Sequence, residues 1–168
     1  MLYKFHPQGT RRLTLRSMTI RTACSSALMG VNEACSAIQR GICESAIVAG
    51  GNLILAPGTT QQMTEKGILS PEGSCKSFSA DADGYARGEA FTAVFLKPLD
   101  AAIRDGNPIR AVIRAAVANS DGKTQGITQP NGNAHEAMIR LAYKQAGITV
   151  SLCHSLRRWP IPLDERSN

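Results

Sequence analysis

The residue of this sequence best suited to chemistry is Cys24, in the hexapeptide TACSSA at positions 22–27. Apolar residues follow it at spacings of three and four, the period of one helix face: Ala27, Leu28, Val31, Ala34, Cys35 and Ile38. A thiol where a helix begins lies among unpaired backbone N–H groups and at the positive end of the helix dipole. Both favour the thiolate, which is the nucleophilic form. The alternative interpretation is a small buried residue at a strand end, because free cysteine is often part of a core.

The elements around Cys24 alternate between strand and helix patterns. The segment 17–22 before it is expected to be extended, and the helix after it is expected to end near Gly41. Further along, we predict strands at 45–49, 90–96 and 109–117, and helices at 57–67, 98–104 and 134–146. Gly50-Gly51 is expected to end the first of these strands. Strand patterns that are apolar throughout predict an α/β fold whose sheet faces are covered.

The composition argues against a nucleic-acid-binding protein. The 168 residues fit one domain, and the net charge of +6 does not point to nucleic acid. Residues 22–149 carry 11 Lys/Arg and 11 Asp/Glu, so the excess positive charge lies in the two ends. A nucleic-acid-binding protein would carry that charge on a folded face, interleaved with aromatic residues.

The cysteines favour a reduced, cytoplasmic setting. There are five, an odd number, and no two have the spacing of a zinc knuckle or a dithiol redox pair. Residues 1–12 lack the apolar stretch of a secretory signal, and the apolar region 46–57 is far shorter than the ~20 residues of a membrane helix. We expect a soluble protein that binds neither nucleic acid nor membrane.

Other candidate sites are weaker than Cys24. His6 and His154 lie near the ends, and His135 opens a predicted helix without ligand spacing, so we expect no metal site. The loop 81–89 (DADGYARGE) places its glycine too early for a calcium loop, and a tight turn that requires Gly84 explains it better. We expect Phe78 and Tyr85 to pack beside this loop. The glycine-flanked serine of a hydrolase elbow does not occur in the sequence.

Six segments of the sequence together resemble the ketosynthase (β-ketoacyl synthase) domain of polyketide synthases, above all the iterative, highly reducing type I enzymes of fungi. They are 22–27 (TACSSA), 52–57 (NLILAP), 69–78 (LSPEGSCKSF), 81–89 (DADGYARGE), 99–107 (LDAAIRDGN) and 118–123 (ANSDGK). The resemblance runs from about 17 to 149, which divides the chain into an unmatched segment 1–16, a partial ketosynthase domain 17–149 and an unmatched tail 150–168.

The resemblance implies an incomplete thiolase-like fold, layered α/β sheets and helices, and a homodimer in the complete family members. It implies that Cys24 accepts an acyl chain from the phosphopantetheine of an acyl carrier protein, with no cofactor bound directly. Malonyl carrier protein then loses carbon dioxide, and the carbanion attacks the acyl thioester to form a β-keto product. A thiolate suits this role because it is both a good nucleophile and a good leaving group. The resemblance also implies that the backbone N–H of Cys24 supplies one oxyanion donor.

The departures from the family pattern bear on activity. The family uses two histidines, in His-Gly-Thr-Gly-Thr and Asn-x-Gly-His motifs, for decarboxylation, and neither motif occurs in this sequence. Arg21 and Ser79 stand where aspartate is common; Arg21 could favour the thiolate or break a structural hydrogen bond. Two hypotheses follow. The chain is a ketosynthase segment whose Cys24 at most accepts an acyl group, or it is a truncated remnant without turnover.

Overall fold

The computed structural model describes residues 2–3, 17–126 and 129–149. Two compact units divide the chain: the first consists of residues 1–30 and 45–96, and the second of residues 31–44 and 97–168. Predictions that concern His6, His154, Cys153 and the rest of the two unmatched ends lie outside the described residues, apart from Leu2–Tyr3.

Cys24 lies in a single 3-10 turn, Ala23–Ser25, which leads directly into helix α1, Ser26–Gln39. The helix ends as predicted near Gly41, which adopts a φ of 67° and donates its N–H to the carbonyl of Ile38. The predicted strand at 17–22 is wrong, because these residues pair with no strand in the described part of the chain. An extended segment becomes a strand only when a neighbour completes its hydrogen-bonding ladder.

The first unit contains an antiparallel sheet of three strands in the order β1 (Leu2–Tyr3), β2 (Ala46–Asn52) and β3 (Ala90–Leu96). β3 confirms the predicted bounds, but β2 runs through the two glycines that were expected to end it. The reason lies in the partner strand, since Gly50 pairs with Thr92 and Gly51 with Phe91. The ring of Phe91 lies over Gly51, so close that a Cβ there would meet it at 2.6 Å.

The two faces of this sheet differ. Helix α1 begins on one face, where Val48 and Gly50 approach Gly30 and Ala27. Ala46 and Val48 on that face are buried. On the other face Phe91 is 74% exposed and Phe95 is 53% exposed, so the expectation that both faces are covered is wrong for the described residues.

Helix α2, Pro57–Glu65, completes the regular elements of the first unit. Pro57 begins it, at a position where a missing N–H costs nothing because that group would be unpaired in any case. The loop from 67 to 89 follows, and a parallel bridge between Leu69 and Tyr85 draws its two ends together.

The second unit contains helices α3, Leu99–Arg104, and α4, Gly132–Ala146. The side chain of Asn131 caps α4 by accepting from the N–H groups of Asn133 and Ala134, and Gly147, at φ 65°, ends it. The strand predicted at 109–117 is wrong, because no strand in the described part of the chain pairs with it. It is held instead by a side chain, since Arg114 donates to the carbonyl of Ala146 at 2.9 Å.

Candidate functional site

Cys24 is exposed at the start of α1. This contradicts the alternative interpretation in which the cysteine is a small buried core residue. The thiol precedes the first helical residue by two positions, at the positive end of the α1 dipole, and the N–H groups of Ser25 and Ser26 beside it donate to the carbonyls of Thr22 and Ala23. The thiol of Cys24 is therefore accessible to a substrate and lies where the dipole of α1 is positive.

The turn that carries Cys24 is strained at Ala23, whose φ is 54°. This is the left-handed region, which costs a residue with a Cβ free energy unless surrounding contacts hold it there. Only one other described non-glycine residue, Phe78, has a positive φ. The strain lies immediately before the candidate nucleophile, where it directs the chain sharply into α1.

Hydroxyl groups hold the strained turn. Ser26 Oγ accepts from the backbone N–H of Thr22 at 2.8 Å and donates to the carbonyl of Ala23 at 2.7 Å. Ser25 Oγ lies 2.8 Å from both the carbonyl and the hydroxyl oxygen of Thr22. We call these three residues, Thr22, Ser25 and Ser26, the hydroxyl cluster. A role for these three residues was not predicted from the sequence, although three hydroxyl residues within the five positions that contain the candidate nucleophile are the signal that would have pointed to them.

The beginning of α1 also lies unusually close to the sheet. A Cβ added at Gly50 would stand 3.0 Å from the Cβ of Ala27, and one added at Gly30 would stand 2.8 Å from Val48 Cγ1. Glycine at these two positions lets helix and strand approach to distances at which an added Cβ would have to displace its neighbour. The sheet thereby fixes the position of the helix turn that follows Cys24.

The two departures from the family pattern can now be placed. Arg21 is exposed. Ser79 accepts a hydrogen bond at its hydroxyl from the backbone N–H of Asp81, at 3.2 Å. This is the bond to an N–H two residues ahead that an aspartate would also make, so Ser79 preserves the local turn.

The loop 81–89 is the tight turn that was predicted at Gly84, whose φ is 139°. A Cβ at Gly84 would stand 2.6 Å from the carbonyl carbon of Leu69, which leaves no room for a side chain. Tyr85 donates its N–H to Ile68 and accepts from Ser70, at 3.3 and 3.1 Å. Phe78, which was expected to pack beside the loop, is 79% exposed.

An ion pair fixes the same loop. Lys76 Nζ lies 3.0 Å from Asp83 Oδ2 and 3.0 Å from Glu72 Oε2. The hydrogen bond from Lys76 holds the pKa of Asp83 below its usual value, and the bond to Asp83 raises the pKa of Lys76. The Asp83 carboxylate therefore serves to hold Lys76, and its charge is already balanced.

The other described cysteines, Cys35, Cys43 and Cys75, are placed differently from Cys24, because none of them lies where a helix begins. Cys35 lies on α1, partly buried, and this burial raises the pKa of its thiol. Cys75 is exposed, but its Sγ accepts from the N–H of Ala86 at 3.2 Å, within the loop.

His135 lies in the first turn of α4 and is half-exposed, with its Nε2 3.5 Å from Asp121 Oδ1. Across residues 17–126 and 129–149 there is no group of three or more His, Cys, Asp or Glu side chains placed to hold a metal ion. Within the same residues, none of the helices has the length and apolar character to cross a membrane.

Comparison with known protein families identifies the family to which this chain belongs. The model of the beta-ketoacyl synthase N-terminal domain matches residues 12–102, and that of the beta-ketoacyl synthase C-terminal domain matches residues 110–154. The chain belongs to the beta-ketoacyl synthase family. The predicted ketosynthase resemblance is therefore confirmed, and the first of these matches contains Cys24, the hydroxyl cluster and the loop at Gly84.

The curated relatives are fungal polyketide synthases. The highly reducing polyketide synthase sphB of Aspergillus fumigatus is 62% identical over 147 residues, covering 88% of this chain and 6% of the relative. The highly reducing polyketide synthase VdtX of Byssochlamys spectabilis is 62% identical over 133 residues, covering 79% of this chain and 6% of the relative. The chain thus spans about 6% of the length of these synthases.

Solved ketosynthase structures confirm the thiolase-like fold class in partial form. The oxazolomycin ketosynthase domain OzmH KS7 of Streptomyces albus matches with a TM-score of 0.76 and 38% identity, over 79% of this chain and 23% of that one. The ketosynthase from module 6 of the bacillaene synthase of Bacillus subtilis matches with a TM-score of 0.75 and 40% identity, over 77% and 23%. The exposed sheet face accords with this coverage, since most of a complete ketosynthase lies outside the matched residues.

Proposed function

We propose that Cys24 is the acyl-accepting nucleophile of this ketosynthase segment. The observation that carries the proposal is the exposed thiol at the strained start of α1, inside the region that the ketosynthase family model matches. In the proposed step, the Cys24 thiolate attacks the carbonyl carbon of a donor thioester. A new carbon–sulfur bond forms, the bond to the donor sulfur breaks, and the donor leaves as a thiol carrying the proton that Cys24 lost.

The donor in this proposal is an acyl group on the phosphopantetheine of an acyl carrier protein. The oxyanion that develops on the thioester oxygen would be met by the backbone N–H of Cys24, at the positive end of α1. No further cofactor is needed, because the phosphopantetheine arrives with the carrier. A complete ketosynthase would work as a homodimer in the cytoplasm, where the described thiols stay reduced.

The residues of this chain support the first half of the condensation reaction. Decarboxylation of malonyl carrier protein uses the histidines of the His-Gly-Thr-Gly-Thr and Asn-x-Gly-His motifs in the family, and neither motif occurs in this sequence. We therefore propose that the chain forms the acyl-cysteine but does not release carbon dioxide from a malonyl thioester.

The test uses the full chain and a hexanoyl N-acetylcysteamine thioester, which carries the reactive end of phosphopantetheine. Tandem mass spectrometry that distinguishes Cys24 from Cys35 should find the added acyl mass on Cys24, and Cys24→Ser should lose it. Cys43→Ser is the matched control and should keep it. An unmodified Cys24 after prolonged incubation would overturn the proposal in favour of a remnant without acyl transfer.

A parallel assay follows carbon dioxide from malonyl carrier protein. We expect no release above the rate without protein. Release by the wild-type chain above that rate would contradict the proposed restriction to the first half-reaction, and Cys24→Ser would then show whether the release depends on Cys24.

A further inference from the structure

We propose that Ser26 is a positioning residue, which orients the backbone N–H of Cys24 toward the developing oxyanion. This inference rests on the proposed acyl transfer to Cys24 and deepens it. It assigns to the Ser26 hydroxyl, two residues after the nucleophile, the role of orienting the backbone N–H of Cys24.

The geometry begins with the peptide that joins Ala23 to Cys24. Its carbonyl oxygen accepts from Ser26 Oγ at 2.7 Å and also from the backbone N–H of Ser26. The carbonyl therefore points toward α1 and is held there by two donors. In a planar trans peptide the N–H points opposite to the C=O, so the N–H of Cys24 points away from Ser26 and out of the helix turn.

Ser26 holds the preceding part of the turn with the same hydroxyl. Its Oγ accepts from the N–H of Thr22 at 2.8 Å, so one oxygen atom joins the amide of Thr22 to the carbonyl of Ala23. Ser25 adds a second connection to Thr22, through Oγ contacts of 2.8 Å with its carbonyl and its hydroxyl. The turn is thus closed on both sides of Ala23.

The hydrogen bonds of Ser25 and Ser26 are needed because the backbone conformation of Ala23 is intrinsically unfavourable. At φ 54° an alanine is in a region that its Cβ disfavours, and a glycine would be the usual residue there. Without the Ser26 hydroxyl, the 23–24 peptide can rotate toward an ordinary helical conformation. Its N–H would then turn away from the position that an oxyanion needs, while the Cys24 side chain would remain accessible.

Comparing the acylation and alkylation rates of Cys24 separates a positioning role of Ser26 from general destabilisation, which would affect both rates. Alkylation by iodoacetamide forms a carbon–sulfur bond and expels iodide, and no oxyanion develops during the reaction. Acylation by the hexanoyl N-acetylcysteamine thioester passes through an oxyanion and depends on the amide. A positioning role predicts that Ser26→Ala slows acylation of Cys24 about tenfold or more and alkylation by less than about twofold.

Two variants make the experiment specific. Ser26→Thr keeps the hydroxyl and should restore acylation to near the wild-type rate, whereas Ser36→Ala, a serine-to-alanine change later in the same helix, should affect neither reaction. Far-UV circular dichroism shows whether each variant is folded. Amide hydrogen exchange supplies a readout without chemistry, because Ser26→Ala removes the acceptor of the Thr22 N–H and should speed its exchange.

The outcomes are separable. A wild-type chain that is alkylated at Cys24 but never acylated would overturn the proposed function and the positioning role with it. A wild-type chain that is acylated, together with a Ser26→Ala variant that loses both reactions equally or loses neither, would overturn the positioning role alone. Unchanged exchange of the Thr22 N–H in Ser26→Ala would also contradict it.

Discussion

Gly50 of β2 lies directly against Ala27 at the beginning of α1, at a distance that admits no side chain without displacement. A Cβ built on Gly50 would stand 3.0 Å from the Cβ of Ala27, closer than nearly all such contacts in proteins. Since Ala27 follows Cys24 by three residues, the sheet determines where the turn of the candidate nucleophile lies.

Replacing Gly50 by valine tests this relationship. Overpacking should push the first turn of α1 away from β2, lower the free energy of unfolding by about 1–3 kcal/mol, and slow the acylation of Cys24. Urea unfolding and site-resolved mass spectrometry measure the two effects. Gly88→Val is the control, because a Cβ at Gly88 meets nothing within 4 Å. Equal behaviour of the two variants would show that the close approach has no role.

Gly84→Ala should be among the most destabilising glycine substitutions in the chain. Its φ of 139° is unfavourable for alanine, and the new Cβ would collide with backbone atoms of Leu69 and Ser70. We expect a loss of about 3 kcal/mol or more. Gly73→Ala separates the two causes, since Gly73 also has a positive φ, 63°, but has open space around it. That variant should lose only about 1 kcal/mol. Equal losses in urea unfolding would show that the collision contributes nothing.

The Lys76–Asp83 pair predicts a pH-dependent contribution to stability. Its hydrogen bond holds the pKa of Asp83 below the usual value in the folded chain. The contribution is therefore complete above the ordinary aspartate pKa of about 3.9 and disappears as the pH falls through the lower, folded value. Wild type should be more stable than Asp83→Asn at neutral pH and should approach it in strong acid.

Urea unfolding at several pH values measures that difference. Asp81→Asn, in the same loop, is the control for the general effect of replacing an aspartate by asparagine. A gap between wild type and Asp83→Asn that stays constant from neutral pH to about pH 2 would contradict the linkage.

The fold could be predicted from the sequence wherever local pattern determines structure. The helical period after Cys24 predicted α1, and the apolar run at 90–96 predicted β3 in full. The predictions of strands at 17–22 and 109–117 were wrong, because local pattern does not show whether a neighbouring strand is present to pair with the segment. For the same reason β2 continues through its glycines, which pair with Phe91 and Thr92.

The candidate nucleophile could be predicted from the sequence, but the turn that holds it could not. Cys24 could be named because a cysteine before a helical period has a recognisable chemistry. The left-handed Ala23 and the hydrogen bonds of Ser25 and Ser26 could not, because they depend on dihedral angles that the residue types permit but do not specify.

Arg21 allows its two possible roles to be separated. If its positive charge favours the thiolate of Cys24, Arg21→Gln should slow iodoacetamide alkylation about two- to threefold at low ionic strength, and salt near 0.5 M should remove most of that difference because it screens exposed charges. Arg40→Gln, near the other end of α1, is the control. If Arg21 instead disrupts a bond that aspartate would make, Arg21→Asp should raise the free energy of unfolding. Iodoacetamide should then alkylate Arg21→Gln at the wild-type rate.

The central claim is that the thiol of Cys24 accepts an acyl group, and the site-resolved rate of acylation tests it most directly. The full chain is incubated with the hexanoyl N-acetylcysteamine thioester, and tandem mass spectrometry follows the acyl mass on each of Cys24, Cys35, Cys43 and Cys75. The account predicts that Cys24 is acylated at least about tenfold faster than the other three, because its thiol is exposed at the start of α1 beside the proposed oxyanion donor. Acylation at equal rates on all four cysteines, or none on Cys24, would contradict it.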